Sequence, residues 1–208
     1  MKNYQFGLLL FTLCSLCGLL ELKSQEKADY YLSVPGHKEY ALINPGKKSV
    51  LPSGRYVSPA GQTIQITHDP FGLKISPDGK TAITLHNGVI SIISLSDMKS
   101  TRIPDYENKL EAPLKKGSFL GIAFHPNLTH VYLSGGDEGT VIVYDYKNFK
   151  IIDKIDLNGF FDNVNYVDSF TSDLVYNPGK DELLVLDRGN FRLVRIDLKN
   201  KKITASIP

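Results

Sequence analysis

The sequence predicts an all-β fold made of about three four-stranded antiparallel sheets. Three observations predict it. A proline-bearing turn recurs along the chain at a nearly constant spacing. The strand pattern that follows each turn recurs with it. The composition, with 11 Tyr, 10 Phe, no Trp and short runs of Val and Ile, favours strands. At 208 residues the chain has length for one domain with a substantial core. Its net charge of +2 sets up no strong field towards nucleic acid or an anionic membrane.

The first element is a targeting segment, residues 1–24. Lys2 supplies a short basic region, and Phe6 to Leu20 form an apolar run of the length of a signal core, short for a membrane span. Leu22-Lys23-Ser24 reads as a cleavage site, so the mature chain is expected to begin near Gln25 and to act outside the cytoplasm, in the periplasm or beyond; an uncleaved N-terminal anchor is the alternative. Cys14 and Cys17 both lie inside the apolar run. Their C-x-x-C spacing therefore does not signal a metal or redox site, and the leucines before each cysteine do not fit a lipid-attachment site. The mature chain is left without a cysteine, to be held by packing alone.

Residues 25–68 form a leader with short strands, Tyr56-Val57 and Thr63 to Ile66. The first repeat, about 69–105, opens with the stretch FGLKISPDGKTAITL. Pro77 presets φ for the turn, and Gly79 tolerates the positive φ that closes it. Strands are expected at Gly72 to Ser76, Thr81 to Leu85, Val89 to Leu95 and Thr101 to Ile103. The second repeat, about 118–157, has the turn His125-Pro126-Asn127 and strands at Ile122 to Phe124, His130 to Ser134, Thr140 to Tyr146 and Ile151 to Ile155. The third, about 169–208, has Asn177-Pro178-Gly179-Lys180 and strands at Asp173 to Tyr176, Leu183 to Leu186, Phe191 to Leu198 and Ile203 to Ile207. In FRLVRIDL, Phe191, Leu193, Val194 and Ile196 are expected to pack while Arg192, Arg195 and Asp197 face out or line an edge.

Pro77, Pro126 and Pro178 stand 49 and 52 residues apart, and YDYKN at 144–148 matches IDLKN at 196–200. Four-stranded units with a period near fifty are the signature of β-propeller blades. An ordinary antiparallel sandwich is the competing architecture. The fold class read from the chain is thus all-β, a partial β-propeller of about three blades after a signal peptide.

The G-x-x-x-S-P-D-G-K core, with V-x-V-x-D-type third strands after it, resembles the YVTN-repeat β-propellers, also called surface-layer-like or quinoprotein-like propellers. The second and third copies depart from it, with HPNL and NPGK. The leader LPSGRYVSPAGQTIQI, residues 51–66, resembles the start of secreted bacterial proteins that carry such a propeller ahead of an alkaline-phosphatase-like phosphoesterase domain. The resemblance implies about seven blades in a closed ring. Three blades alone leave apolar sheet faces uncovered. Two expectations follow: further C-terminal blades and a further domain, or self-association through the unclosed faces.

Candidate sites are sparse. His37, His68, His86, His125 and His130 lack ligand spacing, and no cofactor is signalled. Asp137 and Glu138, between Gly136 and Gly139, are the weak candidates for a cation site, without the D-x-D-x-D-G run of an oxygen cage. Ser96-Asp97-Met98-Lys99 matches S-x-x-K only by letter, since it falls in a turn. No catalytic residue is assigned. The connection after the second repeat, NGFFDNVNYVDSF, gathers Phe160, Phe161, Asp162, Tyr166 and Asp168 on one rim, the best candidate for binding an unidentified protein or ligand. The outer lysines are explained as guards of edge strands, without a nucleic-acid partner. The expected function is a non-catalytic, exported binding or scaffold module from a longer propeller–phosphoesterase protein; the alternative is a lactonase-type propeller enzyme.

Overall fold

The computed structural model describes residues 32–117 and 120–208. The expected export signal, its expected cleavage point and both cysteines lie outside these residues. No helix occurs among the described residues. The chain forms two compact units, one described over 32–42 and 50–56, the other over 43–49 and 57–208. In the first, the Gly36 amide donates to the Gly54 carbonyl at 2.8 Å, and the Tyr56 hydroxyl bonds the Glu39 carboxylate.

Strand β1 (Ser49–Val50) pairs with β2 (Tyr56–Val57). Residues 63–66, expected as a strand, join no ladder; the Thr63 hydroxyl instead accepts the Gly46 amide at 2.7 Å. The second unit then builds three sheets. Blade 1 is β3 (Gly72–Ile75), β4 (Thr81–Leu85), β5 (Ile90–Ser94) and β6 (Lys99–Ile103). Blade 2 is β7 (Ile122–Phe124), β8 (Val131–Ser134), β9 (Thr140–Asp145) and β10 (Lys150–Asp156). A hairpin follows, β11 (Gly159–Phe161) and β12 (Val164–Tyr166). Blade 3 is β13 (Thr171–Asn177), β14 (Glu182–Asp187), β15 (Arg192–Asp197) and β16 (Lys202–Ile207). Within each blade, every strand pairs antiparallel with its sequence neighbour.

The turns explain why different letters serve the same place. Ser76 Oγ accepts the Thr81 amide and donates to Asp78, while Gly79 takes φ of 70°. In blade 2, His125 Nδ1 accepts the Asn127 amide at 3.2 Å, and in blade 3 Asn177 Oδ1 accepts the Gly179 amide at 3.1 Å. Each first residue caps its turn with a side-chain acceptor, as Ser, Asn and here His can. The later turns repeat too. Asp145 accepts the amides of Lys147 and Asn148, and Asp197 accepts that of Asn200. Met98, Phe149 and Lys201 close the three copies with φ of 53°, 55° and 53°.

Side-chain alternation sorts each blade into a leading face and a trailing face. The trailing face of blade 1 carries Ile83, Leu85, Ile90, Ile92 and Ile103. It packs in one core with the leading face of blade 2: Ile122, Phe124, Val131, Leu133, Ile142 and Tyr144. The trailing face of blade 2, with Ala123, Tyr132, Val141, Val143 and Ile155, packs on Leu174, Leu183, Val185, Val194 and Ile196 of blade 3. First strands sit beside first strands, β7 against both β3 and β13. Blade 2 is therefore apolar on both sides, which is why its strands read as near-continuous hydrophobic runs.

One expectation is reversed. Phe191 is 85% exposed, whereas Arg192 is 2% exposed. Phe191 takes φ of 50° as the last residue of its turn, so the strand begins at Arg192 and the phase moves by one. Arg192, Val194 and Ile196 then share the core face.

Blade 1 holds a buried polar hub. His86 Nε2 lies 3.1 Å from Ser91 Oγ and also bonds Thr84 Oγ1, while Nδ1 meets the His68 carbonyl at 2.9 Å. The carbonyl fixes the proton on Nδ1, so both hydroxyls donate to Nε2. His86→Ala leaves two buried hydroxyls without this acceptor and is expected to cost about 1–3 kcal/mol, read by urea denaturation. Burial holds the His86 imidazole below its ordinary pKa. At the blade 2–blade 3 turns, burial and the stacked His125 ring, 4.6 Å away, do the same to His130. Below about pH 6.5 the unfolded chain binds more protons than the folded one at these sites, so stability is full above that value and falls as pH drops towards the folded pKa values. Melting temperature is expected to fall between pH 7.5 and 5, and less so in His86→Ala; an unchanged pH slope in the variant would refute the assignment.

Candidate functional site

The connection between blades 2 and 3 folds as the β11–β12 hairpin. Asp162 and Asn163 take φ of 49° and 64°, the paired positive values of a two-residue type I′ turn. Cross-strand pairing places Phe160 opposite Asn165 and Phe161 opposite Val164, so the two faces of the hairpin differ. Tyr166 is on the face of Phe161 and Val164.

Tyr166 anchors the hairpin. Its ring lies over the Arg192 guanidinium, 3.5 Å from ring centroid to Cζ, and its hydroxyl accepts from Ser206 at 3.1 Å. Arg192 Nε donates to Asp187 Oδ2 at 2.8 Å, and an η nitrogen donates to the Leu157 carbonyl at 2.6 Å. Asp187 also accepts the Phe170 amide at 2.9 Å and an Asn190 amide hydrogen. Asn190 donates as well to the Val167 carbonyl and Ser169 Oγ. Burial alone pushes the Asp187 carboxyl up; the Arg192, Phe170 and Asn190 bonds outweigh it and hold the group below its ordinary range. A satisfied, buried ion pair of this kind positions whatever rests on it.

What rests on it is an exposed apolar tip. Phe160 is 74% exposed; Val164, on the other face of the hairpin, and Val167 are exposed too. Phe160 and Phe161 border a groove of about 490 Å³ whose other walls are Asp153, Asp156, Lys201 and Lys202. An ion pair between Lys201 and Asp153 crosses from blade 3 to blade 2 at that groove.

The five predicted residues thus divide in role. Phe160 is free to meet a partner; Phe161 is half-buried at the groove wall. Asp162 forms the turn, Tyr166 holds the hairpin down, and Asp168 acts through its backbone. Asp168 takes φ of 52°, and its carbonyl lies where a side chain at Gly189 would stand, 2.3 Å from an added Cβ. Sequence reasoning missed Arg192, Asp187 and Asn190. Their only trace was the D-R-G-N turn followed by a charged residue in phase with the core.

Asp137 and Glu138 lie on a separate cleft of about 950 Å³ with Asn87, Arg102, Tyr106 and Lys115. Lys115 Nζ approaches Glu138 at 2.8 Å and Lys154 Nζ at 3.6 Å. Lys115 holds the Glu138 carboxyl below its ordinary range. The Asp137 carboxylate fills the space beside Gly117, whose amide donates to Asn87 Oδ1 at 2.7 Å. Glu138 is thus neutralised by lysines. Among the described residues no three His, Cys, Asp or Glu side chains come together as a metal-ligand set.

No known protein-family profile matches the chain, and no curated protein matches it. Solved structures do. Hydrazine synthase of Kuenenia stuttgartiensis is 19% identical with a TM-score of 0.51, over 69% of this chain and 38% of that one. U3-55K and the WD40 repeats of RRP9 are each 11% identical with a TM-score of 0.51, over 70% of this chain and 41% of theirs. The chain therefore spans about two fifths of the length of the structures it matches. At these identities the likeness speaks to the backbone alone: the three stacked quartets are blades of a WD40-like β-propeller.

Proposed function

We propose that this chain is a non-catalytic, exported propeller module that binds or scaffolds a protein through the rim carrying the β11–β12 hairpin. The observation that carries the reading is the contrast within that hairpin. Its base is locked by the buried Arg192–Asp187 pair, while Phe160 is presented to solvent. A large aromatic held out on a rigid support suits protein recognition, because its docking costs little ordering entropy. The apolar N-terminal run of the sequence supports export. The YVTN-like repeats and the leader, residues 51–66, support membership of a longer propeller–phosphoesterase protein, in which this module would be the scaffold and not the reacting part.

A photo-crosslinking residue placed at 160 in the chain with its leader tests both halves. The chain is expected outside the cytoplasm, and position 160 is expected to capture a discrete protein that position 80, exposed in the first turn of blade 1, does not. Cytoplasmic retention overturns the export reading. Equal capture from both positions overturns the rim reading.

A further inference from the structure

The core between blades 1 and 2 contains a polar group that packing does not account for. Tyr144, in β9, is 1% exposed, and its hydroxyl has no hydrogen-bond partner among the described residues. The repeat shows that the place needs no hydroxyl. Tyr144 stands five residues before Phe149, which closes its turn with positive φ; the same count back from Met98 and Lys201 gives Ile93 in blade 1 and Ile196 in blade 3. Both isoleucines are buried. A hydroxyl shut away from water without a partner is costly, and native structures keep few of them without a use.

Beside it lies a cavity of about 310 Å³, which Tyr144 lines together with Lys109, Leu110, Glu111, Pro113, Phe149 and Lys150. That is room for a small organic ligand. Its walls come from the connection leaving blade 1 and from β9, β10 and the turn joining them. Leu110 and Phe149 are half-buried against the core, and Pro113 is buried. Lys109, Glu111 and Lys150 are exposed. Neither lysine joins an ion pair among the described residues, although Asp145 feels the charge of Lys150. Two lysines against one glutamate leave the exposed side of the cavity net positive. Burial pushes the Tyr144 pKa up, so the hydroxyl stays protonated and can donate.

We propose that this cavity binds a small organic anion with an apolar body, a compact carboxylate. Its oxygen accepts from the Tyr144 hydroxyl, Lys109 and Lys150 offset its charge, and Leu110, Pro113 and Phe149 cover its carbon frame. The Tyr144 oxygen is shielded from water, so it meets the ligand through a rotamer change in the exposed wall, as is common on binding. The site is independent of the hairpin and shares no residue with the groove beside Phe160.

Benzoate is the probe. Titrated into the full chain at pH 7 and followed by saturation-transfer NMR, it is expected to bind saturably. Tyr144→Phe is expected to weaken binding about tenfold or more, the worth of a hydrogen bond to a charged acceptor. Benzamide, the same body without the charge, is expected to bind wild type more weakly than benzoate does. Without benzoate, Tyr144→Phe is expected to keep or raise the melting temperature, because it removes an unpartnered hydroxyl and no contact. A purely structural tyrosine would show the opposite. Failure of benzoate to bind saturably overturns the inference, as does binding unchanged in Tyr144→Phe, benzamide binding as tightly as benzoate, or a melting temperature lowered by Tyr144→Phe. Phe160→Ser is expected to leave benzoate binding intact, so failure here and failure of the rim reading are separable results.

Discussion

Arg192→Ala is expected to lose about 3–5 kcal/mol of stability, because it strands the Asp187 carboxylate in the interior. The carboxylate would keep the Phe170 amide, Asn190 and the Ser169 hydroxyl, and the Leu157 carbonyl would lose its donor. The Tyr166 ring would lose the cation it covers, so exchange of the β11–β12 amides is expected to accelerate before the blades open. Replacing both partners, Arg192→Met with Asp187→Leu, removes the orphaned charge and is expected to fall between wild type and Arg192→Ala. The pH dependence has a definite sign. The folded Asp187 pKa is depressed, so its contribution is complete above about 3.9, the ordinary carboxylate value, and is lost as pH falls through the folded value. Urea denaturation at pH 7 measures the main effect. A loss below about 1 kcal/mol would show that the pair is not the anchor described here.

Leu133→Ala is the second large effect, expected at about 2–5 kcal/mol. Leu133 is wholly buried against blade 1, in a blade packed on protein from both sides. Neighbouring strands from two blades fix the site, so it has little room to collapse around the missing atoms. Leu186→Ala makes the contrast. It sits on the trailing face of blade 3 and is 47% exposed, so in dilute solution the change is expected to cost less than about 1 kcal/mol. Denaturation of both variants at low protein concentration measures the difference. Equal costs would contradict the assignment of covered and open faces.

The blades were legible in the sequence because their turns are written locally. Pro77, Gly79, Asp145 and Asp197 each impose their geometry through φ or through a bond two or three residues away. The hairpin was harder. Its Asp162-Asn163 turn lacks the glycine that usually marks a type I′ turn, so the segment read as an irregular insert. The phase of β15 was misread for a related reason: nothing in the letters says that Phe191 adopts positive φ. Arg192 was then expected to face out or line an edge. Its burial depends on partners at 157, 166 and 187, which come together only when blade 3 packs on the hairpin and blade 2. Within the window read from the sequence, Phe160 is an exposed member. The support beneath it is tertiary.

The neighbour-only ladders have a consequence for assembly. Every four-strand ladder closes over a tight turn, so the search for each sheet is short and fast. Yet the middle sheet has no side compatible with water, and by itself it would be a sticky intermediate. Cooperativity must therefore belong to adjacent pairs of sheets, spreading along the row like dominoes rather than seizing the whole molecule at once.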